Sequence, residues 1–263
     1  MQGAIDAGRP WLAPLQPELG LALAHWQPGA PVADVLNARI DARLADPHAP
    51  PHAPAPALAC GALRFVPQTA LPKAETYEAF IHRSAQVPSR DNVHDFFNGL
   101  VWLAQPAIKR RLNELQAAEI ARAGIGTTRG PLRDALTLFD ENGALLQAPA
   151  ELLAALRARD WPSLFISQRA RWAEASLLIV GHALLEKLAA APRKALTAHV
   201  LLGDPLRMSE ADWAAKPFAP LPVLGVPGWW PANEEAGFYD DPAVFRPQAG
   251  KNPSIDKYRS PVS

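Results

Sequence analysis

One apolar segment, residues 89–103, restricts the possible folds more than any other part of the chain. Most of its side chains are large and apolar, so we expect a buried helix that Ser89 or Asp91 caps. Four polar residues recur at the i, i+3, i+4, i+7 spacing of one helical face: Asp91, His94, Asp95 and Asn98. A polar face on a buried helix must contact partners, a ligand or a water-filled cleft. The segment therefore predicts the location of a functional site.

The pattern of prolines and apolar residues predicts an α+β fold that is predominantly helical. We expect a single globular domain over residues 1–263. Within it, the Pro/Ala-rich residues 45–58 predict a loop. Residues 217–263 are rich in proline and aromatic side chains, which indicates an extended C-terminal segment that wraps around the core.

Residues 135–147 have the pattern of a short β-hairpin. Two β-capable runs, at 135–139 and 144–146, flank Asp140-Glu141-Asn142-Gly143. An Asn-Gly pair between two such runs is a strong hairpin signal. We therefore interpret Asp140 and Glu141 as residues of a solvated turn.

A long second helix is predicted from about residue 169 to residue 190. Its most apolar window, residues 176–185, is much shorter than the roughly 20 residues that cross a bilayer, so we interpret it as a core helix. His182 and Glu186 are four positions apart and share one face of this helix.

The helix that Pro106 opens should have a solvated outer face. Lys109 and Asn113 are among its polar residues. Because the chain is neutral overall, we do not interpret this face as a nucleic-acid ridge.

Composition excludes some classes of function. Lys+Arg 26 against Asp+Glu 26 removes the electrostatic argument for a dedicated binder of nucleic acid or acidic membranes. The single cysteine, Cys60, permits no internal disulfide, which fits a reducing compartment. Residues 1–9 show no basic start followed by an apolar run. We expect a soluble cytoplasmic protein, and no particular protein partner is indicated.

Four distinct motifs lie between residues 90 and 187. They are Arg90-Asp91-Asn92-x-His94-Asp95-Phe96-Phe97-Asn98, Arg129-Gly130-Pro131-x-Arg133-Asp134, Thr137-Leu138-Phe139-Asp140-Glu141-x-Gly143 and Gly181-His182-Ala183-Leu184-Leu185-Glu186-Lys187. Together they resemble a proteobacterial family, domain of unknown function family 3025. The resemblance extends from about Trp11 to Pro247 and implies one globular unit. The family has no established activity, so the resemblance implies no chemistry.

The two apolar helices carry residue pairs of the metal-ligand type. His94, Asp95, His182 and Glu186 are the candidate ligands, and imidazole with carboxylate suits a divalent metal such as zinc, manganese or iron. Asp91, His94, Asp95 and Asn98 are the candidate catalytic residues. The alternative is structural: two satisfied core histidines, with Asp95 or Glu186 paired to Arg90, Arg133 or Lys187.

A third group of residues could bind an anionic substrate. Arg129 and Arg133 follow a glycine-rich turn, and with Arg90 and Lys187 they are the candidate substrate-binding residues. The turn lacks the Gly-Lys-Ser/Thr of a Walker loop. Arginine–aspartate pairs that brace a loop are the alternative.

Two functions remain open at this stage. The first is a metal-assisted hydrolase that acts on a small molecule, with phosphoesters as the expected class. The second is a non-catalytic binding or scaffold protein with a structural Arg/Asp/His network.

Overall fold

The structure is a computed structural model that describes residues 5–45, 56–124 and 130–247. Its helices are α1 (Glu18–His25), α2 (Val32–Ala45), α3 (Tyr77–Ser84), α4 (Val93–Ala104), α5 (Pro106–Ala123), α6 (Pro131–Asn142), α7 (Ala150–Ala158), α8 (His182–Ala190) and α9 (Glu210–Ala214). Its strands are β1 (Ala57–Leu58), β2 (Gly61–Ala62), β3 (Arg64–Pro67), β4 (Gln86–Ser89), β5 (Gly143–Gln147), β6 (Ser176–Ile179), β7 (Thr197–Leu201) and β8 (Phe218–Pro222). The predicted α+β class, predominantly helical, is confirmed.

Helix α4 is the predicted buried helix, but it begins later than expected. Asn92 is its N-cap, and the side-chain oxygen of Asn92 accepts from the backbone N–H of Asp95 at 2.8 Å. Asp91 therefore lies before the helix. Its carboxylate accepts from the backbone N–H of Val32 at 2.8 Å and so joins the start of α2 to the start of α4.

The predicted hairpin at 135–147 is wrong in its first half. Residues 131–142 form α6, with Pro131 at its first turn. The buried side chains of α6 recur with helical rather than strand periodicity: Leu132, Ala135, Leu136 and Phe139. The Asn142-Gly143 pair joins this helix directly to β5, which is the strand predicted at 144–146.

The long helix predicted at 169–190 is also wrong in its first part. Residues 169–174 form a 3-10 turn, and Ser176–Ile179 form β6, which pairs antiparallel with β5. Within this stretch, the α-helix begins only at His182, as α8. A short apolar run can be a buried strand or a buried helix, and here the partner strand decides.

The main sheet brings α6 and α8 together. Its strand order is β6-β5-β7-β8, with β5 and β7 parallel and the other pairs antiparallel. Because β5 leaves α6 and the antiparallel β6 leads into α8, the end of α6 lies beside the start of α8. The backbone N–H groups of Val180 and Gly181 both donate to the carbonyl of Gly143, at 3.0 and 2.9 Å.

The C-terminal segment packs on the core as far as the structure describes it. Phe165 stacks with Tyr239 and makes an edge contact with Phe245. The Trp161 indole N–H donates to the carbonyl of Arg246 at 2.8 Å. Most of the predicted loop at 45–58, and residues 248–263 of the C-terminal segment, lie outside the described residues.

None of the described helices is long and apolar enough to cross a bilayer.

Candidate functional site

A cavity of about 520 Å³ lies between α3, α4, α5, α6 and the start of α8. Its wall holds the carboxylates Glu78, Asp95, Asp140 and Glu141 and the cationic side chains Arg90 and Lys109. Carboxylates outnumber cations by two to one, so this cavity favours a positively charged occupant.

His94 and His182 meet at one end of this cavity. Nε2 of His94 lies 3.0 Å from Nε2 of His182, with the rings edge to face. On the other side of its ring, Nδ1 of His94 lies 2.9 Å from a carboxylate oxygen of Glu186. The predicted helical faces therefore do meet, and α4 packs directly against α8.

Glu141 completes a group of three potential metal ligands. One of its carboxylate oxygens lies 3.6 Å from Nε2 of His182. One ligand atom from each of His94, Glu141 and His182 lies within 4.8 Å of the other two. Two imidazole nitrogens bound to one zinc ion are roughly 2.9–3.4 Å apart, given Zn–N bonds of about 2.0–2.1 Å. The observed separation of the two nitrogens fits this range.

The protonation of the two rings also fits a bound cation. A carboxylate only accepts, so Nδ1 of His94 carries a proton for Glu186 and Nε2 of a neutral His94 has a free lone pair. If His94 is neutral and no cation is bound, Nε2 of His182 must donate to this lone pair. Nδ1 of a neutral His182 would then carry no proton, and this acceptor would face another acceptor, the Asp140 carboxylate, 3.9 Å away.

A cation between the rings removes this conflict. Both Nε2 atoms can then coordinate it, and Nδ1 of His182 carries its proton towards Asp140. In the structure this Nδ1 is buried without a hydrogen-bond partner among the described residues. Glu186, 2.9 Å from Nδ1 of His94, matches the carboxylates that orient histidine ligands in metal sites, and Asp140 lies farther away, behind the ring of His182.

Burial and neighbouring charges change the pKa values at this end of the cavity. Burial lowers the pKa of His182 to about 4, against a smaller opposite effect of Asp140, so the ring is neutral at pH 7. Burial, with the charge of Asp140, raises the pKa of Glu141. Burial alone would raise the pKa of Asp140, but Lys109 and the nearby histidines hold it below its usual range.

Lys109 is buried, which corrects the prediction of a solvated residue. Its side chain is 5% exposed, and its ammonium donates to Asp140 and, at 2.8 Å, to the side-chain oxygen of Asn98. Asn98 in turn donates to the hydroxyl of Tyr77 at 2.8 Å. Burial, with Asp140 and Asp95, raises the pKa of Tyr77, which therefore remains protonated. The side chain of Asn98 thus binds Lys109 and Tyr77.

Asp95 pairs with Arg90 at the start of α4. The guanidinium of Arg90 donates to both carboxylate oxygens, at 2.8 and 3.1 Å, and its backbone N–H donates at 2.6 Å. Asp95 therefore lies outside the group of three ligand candidates, although it lines the same cavity. Glu186, predicted as a ligand, supports His94 instead.

Three of the four predicted substrate-binding residues are not found on the cavity wall. Two of them lie elsewhere, and the third is outside the described residues. Arg133 and Lys187 are not among the described lining residues, and Lys187 is exposed. Arg129 lies outside the described residues. Of the three that the structure describes, Arg90 alone lines the cavity, where Asp95 already neutralises its charge.

Sequence reasoning missed Asp140, Glu141, Lys109 and Tyr77. The first two were assigned to a turn because the segment was interpreted as a hairpin. The signal was present: in a helix, Thr137, Asp140 and Glu141 fall at i, i+3 and i+4 and share one face.

Comparison with known proteins gives a family but no activity. The model of a family described as "Protein of unknown function (DUF3025)" matches residues 63–249. No curated protein and no solved structure matches the chain significantly. The matched region contains every residue of the candidate site.

Proposed function

We propose a function from the geometry of the site alone, because the chain belongs to the DUF3025 family, whose function is unknown. The protein is a metal-dependent hydrolase, and His94, His182 and Glu141 hold its divalent cation. One observation supports this most strongly: two imidazole Nε2 atoms face each other at 3.0 Å, and a carboxylate oxygen lies 3.6 Å from one of them. Two histidines and one glutamate are a known ligand set of catalytic zinc.

Each residue then has a separate task. His94 and His182 offer ring nitrogens, and Glu141 offers a carboxylate. Glu186 holds the ring of His94, and the Asp140 carboxylate lies 3.9 Å behind the ring of His182. When bound, the cation supplies a water molecule acidic enough to attack near neutral pH. In hydrolysis, a water molecule gives its oxygen to the attacked atom and a proton to the leaving group.

Phosphoesters remain a prediction for the substrate. Arg90 and Lys109 line the cavity, but each is already paired with a carboxylate. Sets of p-nitrophenyl phosphates, p-nitrophenyl esters and p-nitroanilides would compare the classes. A cytoplasmic location is also proposed, in line with the single cysteine, and cell fractionation tests it.

Metal analysis tests the proposal. The chain, purified without a histidine tag, should contain about one zinc or manganese ion, and a chelator should lower its melting temperature, because a ligand of the folded state alone stabilises it. His94→Ala and Glu141→Gln should lose the ion. Their matched controls are His82→Ala and Glu235→Gln, which change exposed residues.

Two results would contradict this function. A chain without stoichiometric metal, whose melting temperature a chelator leaves unchanged, favours the scaffold function, in which the paired charges hold one packing arrangement. Bound iron with oxygen-dependent turnover would contradict hydrolysis, since two histidines and one carboxylate also form the ligand set of iron oxygenases.

A further inference from the structure

The cavity extends well beyond the three ligand candidates. Lys109, Asn113 and Gln116 of α5 all line it, and a rise of 1.5 Å per residue places the ends of this row roughly 10 Å apart. Lys109 contacts Asp140 beside His182, so Gln116 marks the remote end. Asn113 donates to the backbone carbonyl of Glu78 at 2.9 Å, which places Glu78 there as well. We call Glu78, Asn113 and Gln116 the distal end.

Glu78 differs from the other ionic side chains of the cavity wall. Arg90 is paired with Asp95, Lys109 is paired with Asp140, and Glu141 faces His182. Glu78 has no cationic partner within 4.0 Å in the described part of the chain, and it is half-buried. The uncompensated charge of the distal end is therefore negative.

The two amide side chains of the distal end also carry unpaired acceptors, both closed to solvent in this structure. Asn113 and Gln116 are 5% and 6% exposed. The Nδ2 of Asn113 is bound to the carbonyl of Glu78, so the oxygen of the amide is the free atom. Neither Oδ1 of Asn113 nor Oε1 of Gln116 has a partner among the described residues. A buried acceptor left unpaired costs about 1–3 kcal/mol, which a ligand N–H group can recover.

We propose that the distal end binds a planar cationic group, an amidinium or guanidinium, of the substrate. The Glu78 carboxylate can accept two N–H donors that lie in one plane, as such a group provides, and a turn of the Gln116 amide would bring in a third acceptor. Ile81 and Leu112, which line the same cavity, offer apolar contact to its faces. This assignment rests on the proposed function only in placing the scissile bond at the metal end. The binding itself needs no metal.

Three similar probes test the charge preference. Benzamidine, benzamide and benzoate share one ring and differ in a cationic, neutral or anionic group. Calorimetric titration of the full chain in a chelator should show benzamidine bound at least ~10-fold more tightly than benzamide, as expected for a charge-assisted hydrogen bond. Benzoate should bind most weakly of the three.

Variants locate the binding. Glu78→Gln should remove the preference for benzamidine and leave benzamide affinity unchanged, whereas Glu235→Gln, on the surface, should change neither. Glu78 lies in the first turn of α3, so the melting temperature of Glu78→Gln is measured as well. Gln116→Met is the second variant and should weaken benzamidine binding several-fold.

Three outcomes overturn the assignment. The first is equal affinity for benzamidine and benzamide. The second is an unchanged preference for benzamidine in both Glu78→Gln and Gln116→Met. The third is a preference that is lost only in Glu141→Gln, because that result places the cation at the metal end. Failure of the metal proposal is a separate result. A metal-free chain that still prefers benzamidine through Glu78 supports the distal end alone, whereas a metal-loaded chain without that preference supports the hydrolase alone.

Discussion

Nε2 of His94 and Nε2 of His182 lie 3.0 Å apart, although 88 positions separate the two residues in the chain. Each ring has a carboxylate on its far side, Glu186 at 2.9 Å and Asp140 at 3.9 Å. This arrangement, with the neutral ring of His182, is the basis of the cation site that we propose.

The Lys109–Asp140 pair should behave as a coupled unit in stability measurements. Asp140→Asn leaves the buried ammonium of Lys109 without its counter-ion, and Lys109→Met leaves Asp140 without its cation. Loss of one partner of a buried pair costs about 3–5 kcal/mol. The double variant should therefore cost clearly less than the sum of the single variants, as urea denaturation would measure. Additive costs would mean that the pair is solvated.

Asp140→Asn should also weaken metal binding. Loss of a carboxylate behind a histidine ligand typically lowers metal affinity by about 10–100-fold. Titration with zinc against a competing chelator measures this effect. Asp134→Asn, on the same helix but paired with Lys216, is the matched control and should keep wild-type affinity.

The buried His182 should make the metal-free protein less stable in mild acid. The unfolded chain takes up a proton at this residue near pH 6.5, whereas the folded chain does so only near a pKa of about 4. Protons therefore favour the unfolded state between these values, and stability falls as the pH drops from 6.5 to 4. The loss contributed by His182 should approach roughly 3 kcal/mol. Below pH 4 this contribution no longer changes.

A comparison of variants isolates the contribution of His182. Urea denaturation at several pH values should show a smaller loss between pH 6.5 and 4 in His182→Asn than in wild type. His82→Asn, which alters an exposed histidine, should keep the wild-type slope. Equal slopes for all three proteins would show that His182 is protonated in the folded state at its ordinary pKa.

Gly181 should be required for the close approach of α6 and α8. A Cβ added there would lie 2.5 Å from backbone atoms of Asn142, which cannot move independently of Glu141. Gly181→Ala should therefore cost about 1–3 kcal/mol and reduce metal content together with stability. Thermal unfolding and metal analysis measure both effects. A Cβ added at Gly130 would lie 3.8 Å from the nearest described atom, a carboxylate oxygen of Glu119, so Gly130→Ala should keep wild-type stability and metal content.

Trp102 should contribute strongly to the core through the apolar side of α4. It is 2% exposed, and the ammonium of Lys109 lies 5.5 Å from the centre of its ring. Trp102→Ala should cost about 3–5 kcal/mol in denaturant titration. Leu206→Ala, at a residue that is 48% exposed, should change stability by less than about 0.5 kcal/mol. Similar small costs for both variants would mean that α4 is oriented differently.

The sequence by itself determined the elements whose patterns are long and uniform. The run from Val93 to Leu103 is apolar on most sides, so a buried helix was predictable, and so was the polar face that bears His94. The spacing of His182 and Glu186 likewise predicted a shared face on α8. These properties depend on neighbours within about one turn, and the sequence contains that information directly.

Tertiary structure decided which polar groups share the site. Residues 135–139 and 176–179 are short apolar runs that suit a helix or a strand. Residues 176–179 became a strand because they pair with β5, whereas residues 135–139 became part of helix α6. That choice turned Glu141 towards His182 and buried Lys109 beside Asp140. Contacts of this kind join residues far apart in the chain. Their energies depend on distance, burial and the nearest opposite charge, which no local pattern of residues contains.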